Sequence, residues 1–156
     1  MSDAQALDFG PDERRCLATL ASHGVEYLLV GGYAVRFHGY TRAAKDVDVL
    51  MNNGAANSIR LCDALIQIIG VAHPNLTPNQ IEGRKRQINF ESWGYAFEVL
   101  TAADGVDFAA AYGRREAAHV GGLEVPVISK GDLVEMKRRA GRSQDLEDVR
   151  VLTAAV

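Results

Sequence analysis

Residues 46–51 read Asp-Val-Asp-Val-Leu-Met, an alternation of acidic and aliphatic side chains with a period of two. An extended strand uses that period, and it sends Asp46 and Asp48 to one face, roughly 7 Å apart, while Val47 and Val49 go to the other. Such a strand belongs in a sheet with one face in an apolar core. The rest of the chain supplies further strands and the helices to cover them. Residues 12–22 set Cys16, Leu17 and Leu20 at helical spacing behind an acidic first turn. Val25 to Val30 form a short apolar strand that runs into Gly31-Gly32 and then a helix-like YAVRFHGY. After Asn52-Asn53-Gly54 a helix is predicted with Ile59, Cys62, Leu65, Ile66 and Ile69 on one stripe.

Residues 70–87 read as a loop leading into a strand. Ile88–Phe90 and Tyr95–Leu100 flank Ser92-Trp93-Gly94 as an antiparallel hairpin, and a second hairpin turns at Gly121-Gly122. Ser129, with Asp132 three positions on, caps a helix through Ala140 that Gly141 stops, and Ser143 caps a last helix over 144–154. The pattern is α/β (α+β in stricter usage), a short mixed β-sheet with flanking helices.

Composition narrows what such a chain does. Its 156 residues suit a single domain over 1–156, and 47% hydrophobic with 24% charged residues is the balance of a folded globular protein. A net charge of -3 gives no global positive field for nucleic acid. The N-terminus is acidic and is not read as a signal peptide, and no apolar run approaches the ~20 residues of a membrane span. Cys16 and Cys62 lack metal-type spacing and are read as reduced, buried thiols of a cytoplasmic protein.

The chemistry concentrates around the alternating strand. Gly31-Gly32, between a strand and a helix, lets backbone N–H groups approach a phosphate, or simply makes a tight turn. Asp46 and Asp48 repel each other on one face, or that face is merely wet; a divalent cation removes the repulsion, and carboxylate oxygens are the ligands magnesium prefers. Glu98 shares a strand face with Ala96 and Leu100, an odd place for a solitary acid. If its strand lies beside 46–51, three carboxylates gather near Gly31-Gly32, where two magnesium ions about 3.5–4 Å apart would clamp a phosphoryl group and an attacking oxygen.

The run VGGYAVRFHGYTRAAKDVDVLM resembles the signature of the DNA polymerase β-like nucleotidyltransferase superfamily: an apolar stretch, Gly-Gly or Gly-Ser, a spacer, then Asp-apolar-Asp. Within it the chain is most similar to small bacterial proteins of the AbiEii type and to minimal nucleotidyltransferases. These also carry a later block resembling VPVISKGDLVEMKRRAGRSQDLEDVRVL, with its Lys137, Arg142, Asp145 and Asp148. The resemblance covers residues ~25–152, nearly the whole chain. It implies a nucleotidyltransferase fold in which Gly31 and Gly32 hold an NTP and Asp46 and Asp48 bind Mg2+ or Mn2+. Glu98 is then the third carboxylate, on the catalytic metal and helping to deprotonate the acceptor hydroxyl.

The activity so implied is transfer of a nucleoside monophosphate to a hydroxyl, on a tRNA 3′ end or a protein side chain. A toxin–antitoxin or phage-defence pair, with an antitoxin-type partner protein, follows from the same resemblance. The chain departs from the pattern at Gly32, where many members carry Ser, at Ala44, where related sequences carry Thr or Ser, and at Glu98, which is more often Asp. These departures support an alternative, a catalytically degenerate member that binds nucleotide or a partner without turnover. A third reading makes the three acids ordinary solvated groups.

Other candidates are weighed beside these. Arg42 either orients the carboxylates, touches a phosphate or forms a surface ion pair. Lys137 and Arg142 reach a triphosphate, or Lys137, Arg138 and Arg139 form a solvated face that pairs with Glu135. Asp145 and Asp148 are assigned helix-start and ion-pair roles. Arg84-Lys85-Arg86 is the best local site for a nucleic-acid acceptor, and Trp93 staples its hairpin.

Overall fold

The computed structural model describes residues 1–154. A one-turn helix α1 (Asp3–Ala6) precedes α2 (Pro11–Ser22), β1 (Tyr27–Val30), α3 (Gly31–Phe37) and β2 (Val47–Met51). Then come α4 (Ala55–Ile69), α5 (Pro78–Ile81), β3 (Gln87–Asn89), β4 (Phe97–Leu100) and α6 (Phe108–Gly113). The chain closes with β5 (Glu116–Val120), β6 (Leu123–Val127), α7 (Lys130–Ala140) and α8 (Ser143–Leu152). The six strands make one mixed sheet in the order β3-β4-β2-β1-β6-β5, so the predicted architecture is the one observed. Both predicted hairpins form, and Trp93 packs edge-on to Phe90 with ring centroids 5.5 Å apart.

Register places the site. β2 runs antiparallel to β1 with Asp48 opposite Val30, and parallel to β4 with Asp48 opposite Glu98. The alternate residues Val47, Val49, Phe97 and Val99 are buried in the core on the other face. Strict alternation therefore does two jobs, anchoring β2 and β4 through aliphatic and aromatic burial and leaving their acids on the opposite face. Cys16 and Cys62 are both free and buried, and burial pushes the Cys16 thiol up to about 12, which leaves it inert as a nucleophile.

Helix α4 is turned part-way from the stripe predicted for it: Cys62 and Leu65 are buried and Ile69 packs on the core as expected, but Ile59 and Ile66 do not. Ile59 and Ile66 are 53% and 43% exposed, while Asn57, Ser58, Leu61, Cys62 and Leu65 face inward. The cause is polar. Asn57 is buried, accepts from Glu26 N at 2.8 Å and donates to Glu26 O and Asn52 O at 3.0 and 2.7 Å, tying the helix start to the strand ends beside it. Those bonds hold Asn57 inward, and Ile59 and Ile66 follow onto the rim. Leu61→Ala is accordingly expected to cost about 2–5 kcal/mol in urea unfolding, and Ile59→Ala less than about 1 kcal/mol. Equal costs would mean that the helix is rotated as its stripe suggests.

Two further corrections are local. Ser143 is the first residue of α8 and not its cap; Arg142 holds the cap position, and the Asp145 carboxylate accepts from its backbone N–H at 3.2 Å. The 70–87 loop contains the single turn α5, closed by Thr77 and Gln80. Helices α1 and α6 are additions to the expected order, being too short to display a helical period.

Candidate active site

At the end of β1 the chain turns into α3 through Gly31, whose φ of +67° is in the left-handed region. A side chain there would also strike Asp48, with Cβ only 3.0 Å from the aspartate Cβ and Cγ. Both backbone conformation and space therefore require glycine beside the carboxylate. Gly32 faces the other wall: a Cβ on it would stand 3.1 Å from Ala44 Cβ and 3.3 Å from Arg42 Nη1. Two of the three departures from the family pattern are thus neighbours, and that wall carries no hydroxyl at either position.

These residues border a cavity of about 530 Å3 between the acidic face of the sheet, helix α7 and the start of α8. It brings together every site residue expected from the sequence: Gly31, Gly32, Arg42, Asp46, Asp48, Glu98 and Lys137. Leu100, Leu133, Met136 and Ala140 add an apolar stretch to its wall. Gln87, Gln144 and Lys45 also line it, none of them singled out by the sequence. Gln87 and Asn89 do flank Ile88 in a short alternation that puts polar side chains on the face of Glu98, a signal readable only with the hairpin register in hand.

The carboxylates lining the cavity, with Asp148 behind it, fall into two groups. Asp148 is fully buried and takes a bidentate pair from Arg42, Nε to Oδ1 at 2.7 Å and Nη2 to Oδ2 at 2.8 Å, with Gln144 at 2.9 Å and Lys137 Nζ at 3.1 Å. Asp145 pairs with Lys137 at 3.3 Å and with Arg142 at 2.8 Å. Burial pushes both carboxyls up, but the hydrogen bonds from these donors outweigh it and hold both below the ordinary carboxylate value. Asp145 and Asp148 therefore have the ion-pair roles assigned to them. Arg42 forms a part-buried pair with the fully buried Asp148 and not a surface one, and Lys137 is half-buried in the same network. Only Arg139 makes the pair with Glu135 that a solvated face would show.

Asp46, Asp48 and Glu98 have no ion pair among the described residues. Burial, then the charge of Glu98 and a hydrogen bond shared with it, then the charge of Asp46, push the Asp48 carboxyl up to about 7. A carboxylate that resists ionisation at neutral pH beside two others is a site short of positive charge. The donor set, three carboxylates of which two are in register on adjacent strands, suits a hard divalent cation. The three are not closed around a single point: among the described residues no three His, Cys, Asp or Glu side chains are arranged as a formed ligand cage.

The remaining candidates stand apart. Lys85 makes an exposed pair with Asp104 at 2.8 Å, while Arg84 donates to Asn79 O at 3.3 Å and Arg86 to Asn75 O and Gln80 O at 3.1 and 3.2 Å, so the two arginines of the basic run hold the 75–86 loop in place. No helix among the described residues is long and apolar enough to cross a membrane.

No family model matches the chain, and no curated protein is similar to it. Among solved structures, a candidate nucleotidyltransferase from Thermotoga maritima aligns over 89% of this chain and 88% of its own, with a TM-score of 0.53 at 14% identity. The chain has a nucleotidyltransferase fold. An antigenic nucleotidyltransferase-like protein from Paracoccidioides brasiliensis aligns over 87% of this chain and 71% of its own, at 17% identity and a TM-score of 0.48. Within the nucleotidyltransferase fold of this chain, the acidic face of β2 and β4 and the turn at Gly31 open into one cavity.

Proposed function

We propose that the chain is a metal-dependent nucleotidyltransferase that moves a nucleoside monophosphate from an NTP to a hydroxyl acceptor. One observation carries this reading: three carboxylates without a cation partner face a cavity in which Arg42, Lys137 and Arg142 are already matched to Asp145 and Asp148. A bare triphosphate would be repelled by the three; Mg2+ or Mn2+ held by Asp46, Asp48 and Glu98 would cancel that repulsion and stabilise charge on the phosphoryl oxygens. Gly31 and Gly32 leave the backbone bare for a phosphate, and Arg42 and Lys137 line the same space as fixed positive charges. The acceptor oxygen attacks the α-phosphorus in line, the bond to the bridging oxygen breaks and pyrophosphate leaves. In this reading Glu98 takes the acceptor proton.

By family resemblance the acceptor is a tRNA 3′ end or a protein side chain, and the biological setting is a bacterial toxin–antitoxin or phage-defence pair with a partner protein. The facing pair Gly32 and Ala44, without hydroxyls, favours a second reading, binding of nucleotide without turnover.

Thermal unfolding with each of the four NTPs, in Mg2+, Mn2+ or EDTA, tests the proposal on wild type and on Asp46→Ala/Asp48→Ala. A ligand at ~100 times its Kd adds about 2.7 kcal/mol, which raises Tm by roughly 5–10 °C in a chain of this size. A metal-dependent rise lost in the double variant is expected, followed by label transfer from the preferred NTP. A rise without transfer selects the second reading. No rise with any NTP overturns both.

A further inference from the structure

Strand β3 forms one edge of the sheet, antiparallel to β4, with Asn89 opposite Glu98 and Gln87 opposite Leu100. Gln87 is therefore the diagonal neighbour of Glu98 on the same face, a separation that a long side chain spans and a short one does not. Its amide Nε2 donates to Glu98 Oε1. Asn89, although directly opposite, is turned away, its Oδ1 accepting from Glu91 N at 2.8 Å. Glu98 also shares a hydrogen bond with the carboxyl of Asp48, the acid in register with it on the adjacent strand, so Gln87 is its neutral amide partner.

The chemistry of that donor matters. Asp145 and Asp148 are held by guanidinium and ammonium groups, which orient them and also cancel their charge. An amide orients a carboxylate through a hydrogen bond and carries no formal charge, so Glu98 keeps its full attraction for a cation. Glutamate also has one more rotatable bond than aspartate, and a carboxylate on the longer arm needs a second contact to stay aimed at its neighbours. Gln87 lines the cavity and supplies that contact.

We propose that Gln87 is the positioning residue of the third carboxylate, fixing Glu98 through a neutral amide so that it faces Asp48 as a charged metal ligand. The proposal rests on the metal-dependent reading above. It is tested by the affinity for Mn2+ alone, read from the electron paramagnetic resonance of the free ion, and then by kcat and KM for the NTP. The proteins are wild type, Gln87→Ala, Gln87→Met, Glu98→Asp and the double variant Gln87→Ala/Glu98→Asp. Removal of such an outer-shell partner costs about 10-fold or more in metal affinity. Both Gln87 variants are expected to bind Mn2+ about 10-fold more weakly and to lose kcat with little change in KM. Their Tm in EDTA should be unchanged, since the side chain is exposed. On the shorter arm of Glu98→Asp the amide is out of reach, and adding Gln87→Ala there should change Mn2+ affinity less than about 2-fold. Wild-type affinity in both Gln87 variants, or an equal loss in the two backgrounds, overturns the positioning role and leaves the metal site standing. No Mn2+ binding by wild type overturns the metal-dependent reading itself, and this role with it.

Discussion

Replacing Asp48 by asparagine is expected to abolish nucleotidyl transfer while making the metal-free protein more stable. The loss of activity, at least ~10²–10³-fold, follows from removing the acid that lies in register with Glu98 and against Gly31. The gain in stability follows from the same crowding. Burial first, then Glu98 and Asp46, raise the folded-state pKa of Asp48 from 3.8 to about 7, so the folded chain prefers this group protonated. The stability this group contributes is complete below the unfolded value of 3.8 and is lost as pH rises to about 7. The asparagine side chain stays neutral throughout. In EDTA at pH 8 the variant should therefore be more stable by roughly 2–4 kcal/mol, and the two proteins should converge near pH 4. Urea unfolding over that range reads both, and parallel curves would show that Asp48 ionises freely. Mg2+ should reverse the order by stabilising wild type alone.

The opposite behaviour is expected of Asp148. It is 0% exposed and compensates Arg42 and Lys137, so Asp148→Ala leaves Arg42 without its carboxylate partner and Lys137 with Asp145 alone. Breaking a buried pair in this way costs about 3–5 kcal/mol, a fall in Tm on the order of 10 °C. Here the pKa is depressed, so the stabilisation is present above the ordinary carboxylate range and is lost as pH falls through the folded value. Differential scanning calorimetry at pH 7 decides the point. A fall of less than about 2 °C would mean that the guanidinium and ammonium are solvated in the absence of the carboxylate. Because Arg42 and Lys137 both border the cavity, Asp148→Ala should also weaken NTP binding, although it contacts no substrate.

Much of the site is visible in the residues alone because its logic is local. Asp46-Val-Asp48-Val declares a strand with one acidic and one buried face, Gly31-Gly32 a tight strand-to-helix turn with bare backbone, and Glu98 an acid in an apolar run. What escapes a reading of the residues is non-local. Arg42 and Asp148 lie 106 positions apart, and no periodicity links them. The inward face of α4 differs from its aliphatic stripe because Asn57, a polar residue, directs it through bonds to Glu26 and Asn52. Gln87 gives no signal of its own because its place beside Glu98 depends on how the turn at Glu91–Trp93 sets the register of β3 on β4.

Of the acids around the cavity, the chain by itself determined the faces on which Asp48 and Glu98 lie, since a side-chain period of two is a property of neighbouring residues; the expected strand over 46–51 starts only at Val47, so Asp46 lies just outside it. It also determined the bare turn at Gly31, since a left-handed φ is nearly free only to glycine. Tertiary structure decided which carboxylates are neutralised and which are not. As letters Asp46, Asp48, Asp145 and Asp148 are equivalent. Packing α7, α8 and the loop of Arg42 together matches two of them to cations and leaves Asp48 facing Glu98 across adjacent strands, with Asp46 just before β2. Compensation of charge acts through space, over a few ångströms and without regard to distance along the chain.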